Sequence, residues 1–393
     1  MLKPAGSRCN LDCKYCYYLD KAELYGGREP VMSDAMLETV VREYIAANEV
    51  PEVTFNWHGG EPLLLGMDFY RRALAWQARY ADGKTIHNTI QTNGILLDRA
   101  WADFFREHGF LVGISIDGPQ DIHDKYRRDK GGNPSFDKVM RAIHLLHTSG
   151  VAFNTMSTIN LASEGRGLEV YHFLKGIGSR FMQFMPVVEH VKGGHIVAPS
   201  EDGAQLAPWS VSGLGFGHFL CDIFDEWVRN DVSRYFVGQF DAALAAWCGV
   251  SPGICAFSDT CGGNAVIEHN GDLYPCDHFV YPKYRLGNIT RHSIRELMDS
   301  GAQLRFATGK QDGLPSACRK CRWLFACHGE CPKHRFGRTE RGETGLNVLC
   351  SGYRLFYSHV APYMDVMKDL LRQGCSPAGV IPWARMHTDR VTR

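Results

Sequence analysis

The 393-residue chain has no net charge, since Lys+Arg and Asp+Glu both number 43. Without an excess of one sign it lacks the electrostatic footprint of a broad nucleic-acid or anionic-membrane surface. Long apolar runs are missing too. The longest uncharged stretch, Gly203 to Cys221, is diluted with Gly, Ser and His. It falls short of the roughly 20 apolar residues a membrane helix needs. The opening, Met1-Leu-Lys-Pro-Ala-Gly-Ser-Arg-Cys9, has no signal-peptide core. Solenoid repeats and low-complexity segments are absent as well. The expectation is a cytoplasmic globular protein of two or three domains, with no nucleic-acid or membrane partner.

Cysteine is absent from a long span, none lying between Cys16 and Cys221. Yet the chain holds 14 cysteines, and they cluster. Three open the chain at Cys9, Cys13 and Cys16. Nine fall from Cys248 to Cys350, and Cys221 and Cys375 each stand alone. Without an export signal these thiols are expected to be reduced, and clustered reduced thiols point to metal.

The Cys-poor span alternates strand-like and helix-like segments. Ser33 caps an apolar helical face of Met36, Leu37, Val40, Val41, Tyr44 and Ile45. Strands are expected near Leu2–Ala5, Val53–Trp57, Thr85–Gln91, Leu111–Ile116, Ala152–Thr158 and Phe181–Val188, with helices between them. About six strand–helix units imply a parallel sheet with helices outside. Eight units do not fit before the Cys-rich part, so the expected body is a partial (β/α)6 barrel over 1–234. A small Cys-rich domain over 235–360 follows, with a hairpin turning at Asn270-Gly271. Residues 361–393 are read as a C-terminal helix and a loose tail, the helical pattern of Gly352 to Gly374 bending or breaking at Pro362.

Cys9-Asn-Leu-Asp-Cys13-Lys-Tyr-Cys16 has the spacing C-x3-C-x2-C. Three thiolates on one tight loop can hold three irons of a 4Fe–4S cube and leave the fourth open, as an open metal site requires. A zinc loop or three packed thiols are the plainer alternatives. Downstream the spacings are Cys255-x5-Cys261-x14-Cys276, then Cys318-x2-Cys321-x5-Cys327-x3-Cys331-x18-Cys350. Eight thiols suffice for two four-Cys sites, of zinc or of iron–sulfur type. Spacing alone allows Cys318, Cys321, Cys327 and Cys331 as one local site. Cys221, Cys248 and Cys375 are left as packed or free thiols.

The entrance motif, Tyr15 before its last Cys, and Gly59-Gly60-Glu61-Pro62 after the second strand resemble a radical S-adenosylmethionine enzyme. That resemblance implies that the cofactor's methionine part chelates the open iron and that the Gly60 turn binds its amino group. It also implies that Tyr15, Ser115, Arg127 and Val188 line the cofactor, Ser115 at the end of strand four and Val188 at the end of strand six. The Cys-rich region resembles the SPASM twin-cluster extension. It implies crossed ligand sets: Cys255, Cys261, Cys276 and Cys331 for one auxiliary cluster, Cys318, Cys321, Cys327 and Cys350 for the other. With the entrance site, that makes three 4Fe–4S clusters.

Within that group the chain resembles the anaerobic sulfatase-maturating enzymes over nearly its whole length. Segments such as Cys13-Lys-Tyr-Cys-Tyr-Tyr-Leu19, Trp57-His-Gly-Gly-Glu-Pro62, Tyr274-Pro-Cys-Asp-His-Phe279 and Ala326-Cys-His-Gly-Glu-Cys-Pro332 carry the likeness. It implies oxidation of a Cys or Ser in a sulfatase to Cα-formylglycine, the target lying in a Cys/Ser-x-Pro/Ala-x-Arg motif. An external electron donor such as flavodoxin or ferredoxin is implied as well. Asp277, directly after Cys276, matches the general base, and a carboxylate beside an anionic cluster is expected to have a raised pKa. Tyr18 and His58 flank the motifs as substrate-side candidates. Two other readings stay open: another SPASM peptide maturase, such as a thioether-forming one, and a non-enzymatic iron–sulfur or zinc protein. No leader-peptide-binding extension precedes Cys9, which disfavours the first. A vacant iron beside a GGEP turn disfavours the second.

Overall fold

The computed structural model describes residues 1–26, 30–199, 201 and 203–387. Six strands form a parallel run: β1 (Leu2–Lys3), β2 (Glu52–Trp57), β3 (Thr85–Thr92), β4 (Leu111–Ser115), β5 (Phe153–Ile159) and β6 (Phe181–Pro186). Helices Asp34–Ala47, Met67–Tyr80, Arg99–Glu107, Phe136–Thr148 and Gly167–Gly176 connect them. The local reasons are those the sequence offers. The Ser33 hydroxyl accepts from Met36 N at the first helix, and Asp98 accepts from Trp101 N at the third. Leu37, Val40, Val41 and Ile45 are the buried face of the first helix.

The residues of β2 alternate. Val53, Phe55 and Trp57 are buried, while Glu52, Thr54 and Asn56 are exposed. A closed eight-stranded barrel fills its interior with side chains. Here the polar face of β2 is open, which leaves room inside the sheet for a ligand.

The sheet does not stop at six strands. After a small separate sheet of β7 (His190–Lys192), β8 (His195–Ile196) and β9 (Gln205–Leu206), β10 (Phe236–Val237) adds in parallel to β6. At the other edge β11 (Val266–Glu268) adds in parallel to β1, followed antiparallel by β12 (Asp272–Tyr274) and β13 (Gly287–Asn288). One ten-stranded sheet, in the order β10-β6-β5-β4-β3-β2-β1-β11-β12-β13, therefore joins the barrel to the Cys-rich hairpin. β1 is two residues long and buried, flanked by β2 and β11.

Several expectations need correction. The helix Gly213–Asn230 gave no sequence signal, because its first turns read Gly-Leu-Gly-Phe-Gly. Helices Gly238–Cys248 and Gly301–Asp312 lie where regularity was expected to fade. Pro362 does not break the last long helix, which runs from Cys350 to Arg372. It packs on Gly213–Asn230 and crosses the expected boundary at residue 360. Tertiary packing along its buried face, Tyr353 to Met367, outweighs one lost hydrogen bond. Val380–Met386 forms a short helix, and residues 388–393 of the expected tail lie outside the described residues.

Candidate functional site

The entrance cysteines occupy the loop after β1, at the C-terminal end of the parallel strands, where barrel chemistry sits. Asp12 N donates to Arg128 O (2.8 Å) and Lys14 N to Tyr126 O (3.1 Å), which pins the loop to the segment after β4. Leu11, Cys13 and Tyr15 pack with Tyr126 and Val187, and Cys9 and Cys16 lie against that cluster. The charges of Cys9 and Cys16 act on each other, and both act on Cys13. Burial pushes the Cys9 thiol up to about 12, and Cys13 higher still. Thiols this withdrawn from water, with their charges acting on one another, become thiolates only with a cation among them, so this donor set fits a metal cluster.

The turn after β2 is bonded to the same loop. Gly60 N donates to Gly6 O and Glu61 N to Arg8 O, both at 2.8 Å. A Cβ on Gly60 would lie 2.1 Å from Arg8 O, so only glycine permits the approach. Glu61 is buried and accepts from Leu63 N, Thr92 Oγ1 and Asn93 N.

The other cofactor-side candidates gather here. Ser115, the last residue of β4, accepts from Gln91 Nε2 at 3.0 Å. Val188 is buried but sits two residues beyond the end of β6, not on it. Arg127 is a buried ion-pair partner rather than a surface one: its Nε donates to Asp117 Oδ1 at 3.0 Å. Asp117 also accepts from Tyr15 Oη, Thr158 N and Thr158 Oγ1. This fully buried carboxylate ties the cysteine loop, β4 and β5 together, and the sequence reading missed it. Its one signal is the Ile-Asp-Gly-Pro turn at a strand end.

Downstream the interactions among the eight thiols fall into two groups. The charges of Cys255 and Cys331 act on Cys276, and those of Cys255 and Cys261 meet each other and Cys331. Separately, Cys318, Cys321, Cys327 and Cys350 act on one another. Cys327 and Cys331, four apart in sequence, thus face different groups. Cys221 is buried in the helix Gly213–Asn230 and Cys375 is exposed, both outside the sets. None of the 14 cysteines is in a disulfide.

Asp277 faces back toward the barrel. Tyr17 Oη donates to its Oδ2 at 2.5 Å, and the buried Lys3 Nζ lies 3.7 Å from the same oxygen. Burial opposes ionisation of Asp277, but His278, Lys3 and the Tyr17 hydroxyl outweigh it and hold the carboxyl below its ordinary range. The expected upward shift is therefore not what the side chains around it produce. Burial drives His278 itself down to about 3, so at neutral pH Lys3 and Tyr17 do this work. Tyr18, by contrast, donates to Glu268 on β11. His58 accepts from Gly59 N at 2.8 Å, and burial lowers it to about 4, which keeps it neutral.

Comparison with known proteins completes the assignment. The family model of the radical SAM superfamily matches residues 4–163, and that of an iron-sulfur cluster-binding domain matches residues 259–322. The fold and site thus define a radical SAM enzyme with a SPASM iron–sulfur extension, a class that works with S-adenosylmethionine and iron–sulfur clusters. Over 388 residues the chain is 50% identical to the serine-type anaerobic sulfatase-maturating enzyme of Bacteroides thetaiotaomicron, covering 97% of this chain and 94% of that one. It is 33% identical to the cysteine-type enzyme of Clostridium novyi, covering 91% and 93%. The solved structure of native anSMEcpe with bound AdoMet and Cp18Cys peptide superposes with a TM-score of 0.82 at 31% identity, over 94% of this chain and 98% of that chain. The chain belongs to the anaerobic sulfatase-maturating enzymes, radical SAM oxidoreductases that act on sulfatases.

Proposed function

We propose that the protein oxidises a Ser or Cys side chain of a sulfatase, in a Cys/Ser-x-Pro/Ala-x-Arg motif, to Cα-formylglycine. Support comes from the convergence of the cysteine loop, the Gly60 turn and Asp277 around the open face of the sheet. The higher identity to serine-type than to cysteine-type relatives favours a serine target.

Cys9, Cys13 and Cys16 would hold the S-adenosylmethionine-binding cluster. Tyr15, Gly60, Ser115, Arg127 and Val188 would line the cofactor, with Asp117 fixing Arg127. Cys255, Cys261, Cys276 and Cys331 would hold one auxiliary cluster, and Cys318, Cys321, Cys327 and Cys350 the other. When bound, these groups would supply the radical chemistry that removes hydrogen from the target Cβ, and the auxiliary sites would take up the second electron or keep the site folded. The chain's own residues position the peptide, exclude water and move the proton. Asp277, kept ionised by Lys3 and Tyr17, would accept that proton as general base. The first electron would come from a carrier such as flavodoxin or ferredoxin.

The test is mass spectrometry on peptides carrying Ser-x-Pro-x-Arg and Cys-x-Pro-x-Arg. Each is incubated without oxygen with reconstituted protein, reductant and S-adenosylmethionine. Formylglycine should appear together with 5′-deoxyadenosine. Asp277→Asn should lower formylglycine yield by about 10²–10⁴-fold, the range of a lost general base, while 5′-deoxyadenosine still forms. Cofactor cleavage with both peptides unchanged would assign the radical core to another peptide substrate.

A further inference from the structure

The chain passes from one auxiliary thiol set to the other through a single short segment, Cys327-His-Gly-Glu-Cys331. Its three middle residues all have left-handed backbone: His328 at φ 45°, Gly329 at 69° and Glu330 at 53°. Such a conformation is ordinary for Gly329 but costs energy at His328 and Glu330, and it persists only where the surroundings impose it. What imposes it is Arg335. Its Nη2 donates to His328 O at 2.7 Å and to Glu330 O at 3.1 Å, and its Nε donates to Gly329 O at 2.8 Å. All three carbonyls between the two cysteines thus turn onto one guanidinium.

The fourth bond of Arg335 runs from Nη1 to Lys310 O. The Lys310 side chain is buried, and its Nζ donates to Cys255 O (3.0 Å), Ala256 O (2.8 Å) and Ser258 O. Three carbonyl acceptors suit an ammonium, which has three donors. Lys310 therefore grips the turn that carries Cys255. The charges also divide unequally. Among the thiols, Arg335 interacts most with Cys261 and Cys331 of the first set and Cys318 of the second, whereas Lys310 interacts most with Cys261 and Cys331 of the first. The buried Glu330 is bonded to His334 and Asn347, and its charge acts on both Arg335 and Lys310.

We propose that Arg335 is the shared positioning residue of the two auxiliary cluster sites. It holds the Cys327–Cys331 crossover in its left-handed form, and its charge sets the reduction potential of both clusters, while Lys310 serves the first alone. This rests on the reading of the two thiol sets as iron–sulfur sites. A fixed positive charge beside a cluster favours the reduced, more negative form, so its removal moves the midpoint to more negative potential. Arg alone among side chains offers five donors in a rigid fork, which is what four carbonyls from two segments require.

The test uses the full chain carrying Cys9→Ala, Cys13→Ala and Cys16→Ala, so that only the auxiliary sites load. Iron content and an EPR-monitored redox titration are measured after anaerobic reconstitution. The parent should hold roughly eight irons in two clusters. If it binds zinc instead, the cluster reading falls, and the role of Arg335 with it. That outcome is seen before any Arg335 variant is made, so the two failures are told apart. Arg335→Gln should shift both midpoints to more negative potential, and Lys310→Met only one. Arg335→Lys, which keeps the charge but not the fork, should leave both midpoints near the parent's while loading less iron at both sites. If Arg335→Gln loads too little iron to titrate, the iron decides: both sites should lose it in Arg335→Gln and regain part of it in Arg335→Lys. Unchanged midpoints with full iron in Arg335→Gln, or a shift or an iron loss confined to one cluster, would overturn the proposal.

Discussion

At the residue scale, the polar side chains between barrel and hairpin are buried with uneven compensation. Lys3 meets Asp277 and lies 3.5 Å over the Tyr18 ring. Lys21 is 3% exposed and sits 3.1 Å over the ring of Tyr281. Burial lowers its ammonium from the ordinary 10.5 to about 7. Between those values the unfolded chain holds a proton that the folded chain has released. Stability from this group therefore rises with pH from about 7 upward. Lys21→Met should abolish that rise, worth up to about 2–3 kcal/mol between pH 7 and 9. Urea titrations of both proteins at the two pH values check it. A parallel pH dependence in wild type and variant would assign the rise to another group. The cysteines themselves were legible because thiols at fixed spacing announce metal. Asp117, Lys3 and Tyr17 were not, because their partners lie 10 to 274 residues away and no local pattern marks such a pair.

Two glycine contacts govern packing at the element scale. Gly60 lets the turn after β2 touch the cysteine loop, and Gly352 lets two long helices cross. A Cβ on Gly352 would lie 1.9 Å from Gly213 O. Both obstacles are backbone atoms that cannot swing aside. Gly352→Ala should cost about 1–3 kcal/mol, the usual penalty of overpacking, read as a lower Tm. It should also reduce iron in the second auxiliary set, since Cys350 lies two residues away. Gly60→Ala should leave the auxiliary iron intact and weaken S-adenosylmethionine binding at least tenfold, measured by equilibrium binding to the reconstituted protein. The elements that could be read from sequence were the amphipathic ones with caps, such as Asp34–Ala47 and Arg99–Glu107. Gly213–Asn230 was hidden because close helix contact demands glycines that look like loop residues. Pro362 misled for a related reason: local propensity lost to the packing of a 23-residue helix.

For the whole molecule, one sheet runs from the barrel through β1 into the auxiliary-cluster hairpin. The two parts share main-chain hydrogen bonds as well as side chains. Thermal unfolding followed by far-UV circular dichroism and by the visible absorbance of the clusters should give coincident transitions. Cluster loss well below the main transition would mean that the hairpin melts on its own. Alternation of strands and helices foretold a partial barrel. It could not foretell that the sheet continues, because strands as short as β10 and β11 have no periodicity to detect.

That continuity has a consequence in time. β1 and the loop with Cys9, Cys13 and Cys16 leave the ribosome well before β11. The strand that covers their open edge, β11, follows some 264 residues later. Through most of synthesis the nascent chain carries an unpaired strand edge next to three reactive thiols. Unpaired edges invite aggregation and bare thiolates invite oxidation. Slow translation or exposure to oxygen before residue 268 is made should therefore harm the yield of active enzyme far more than the same insult afterwards.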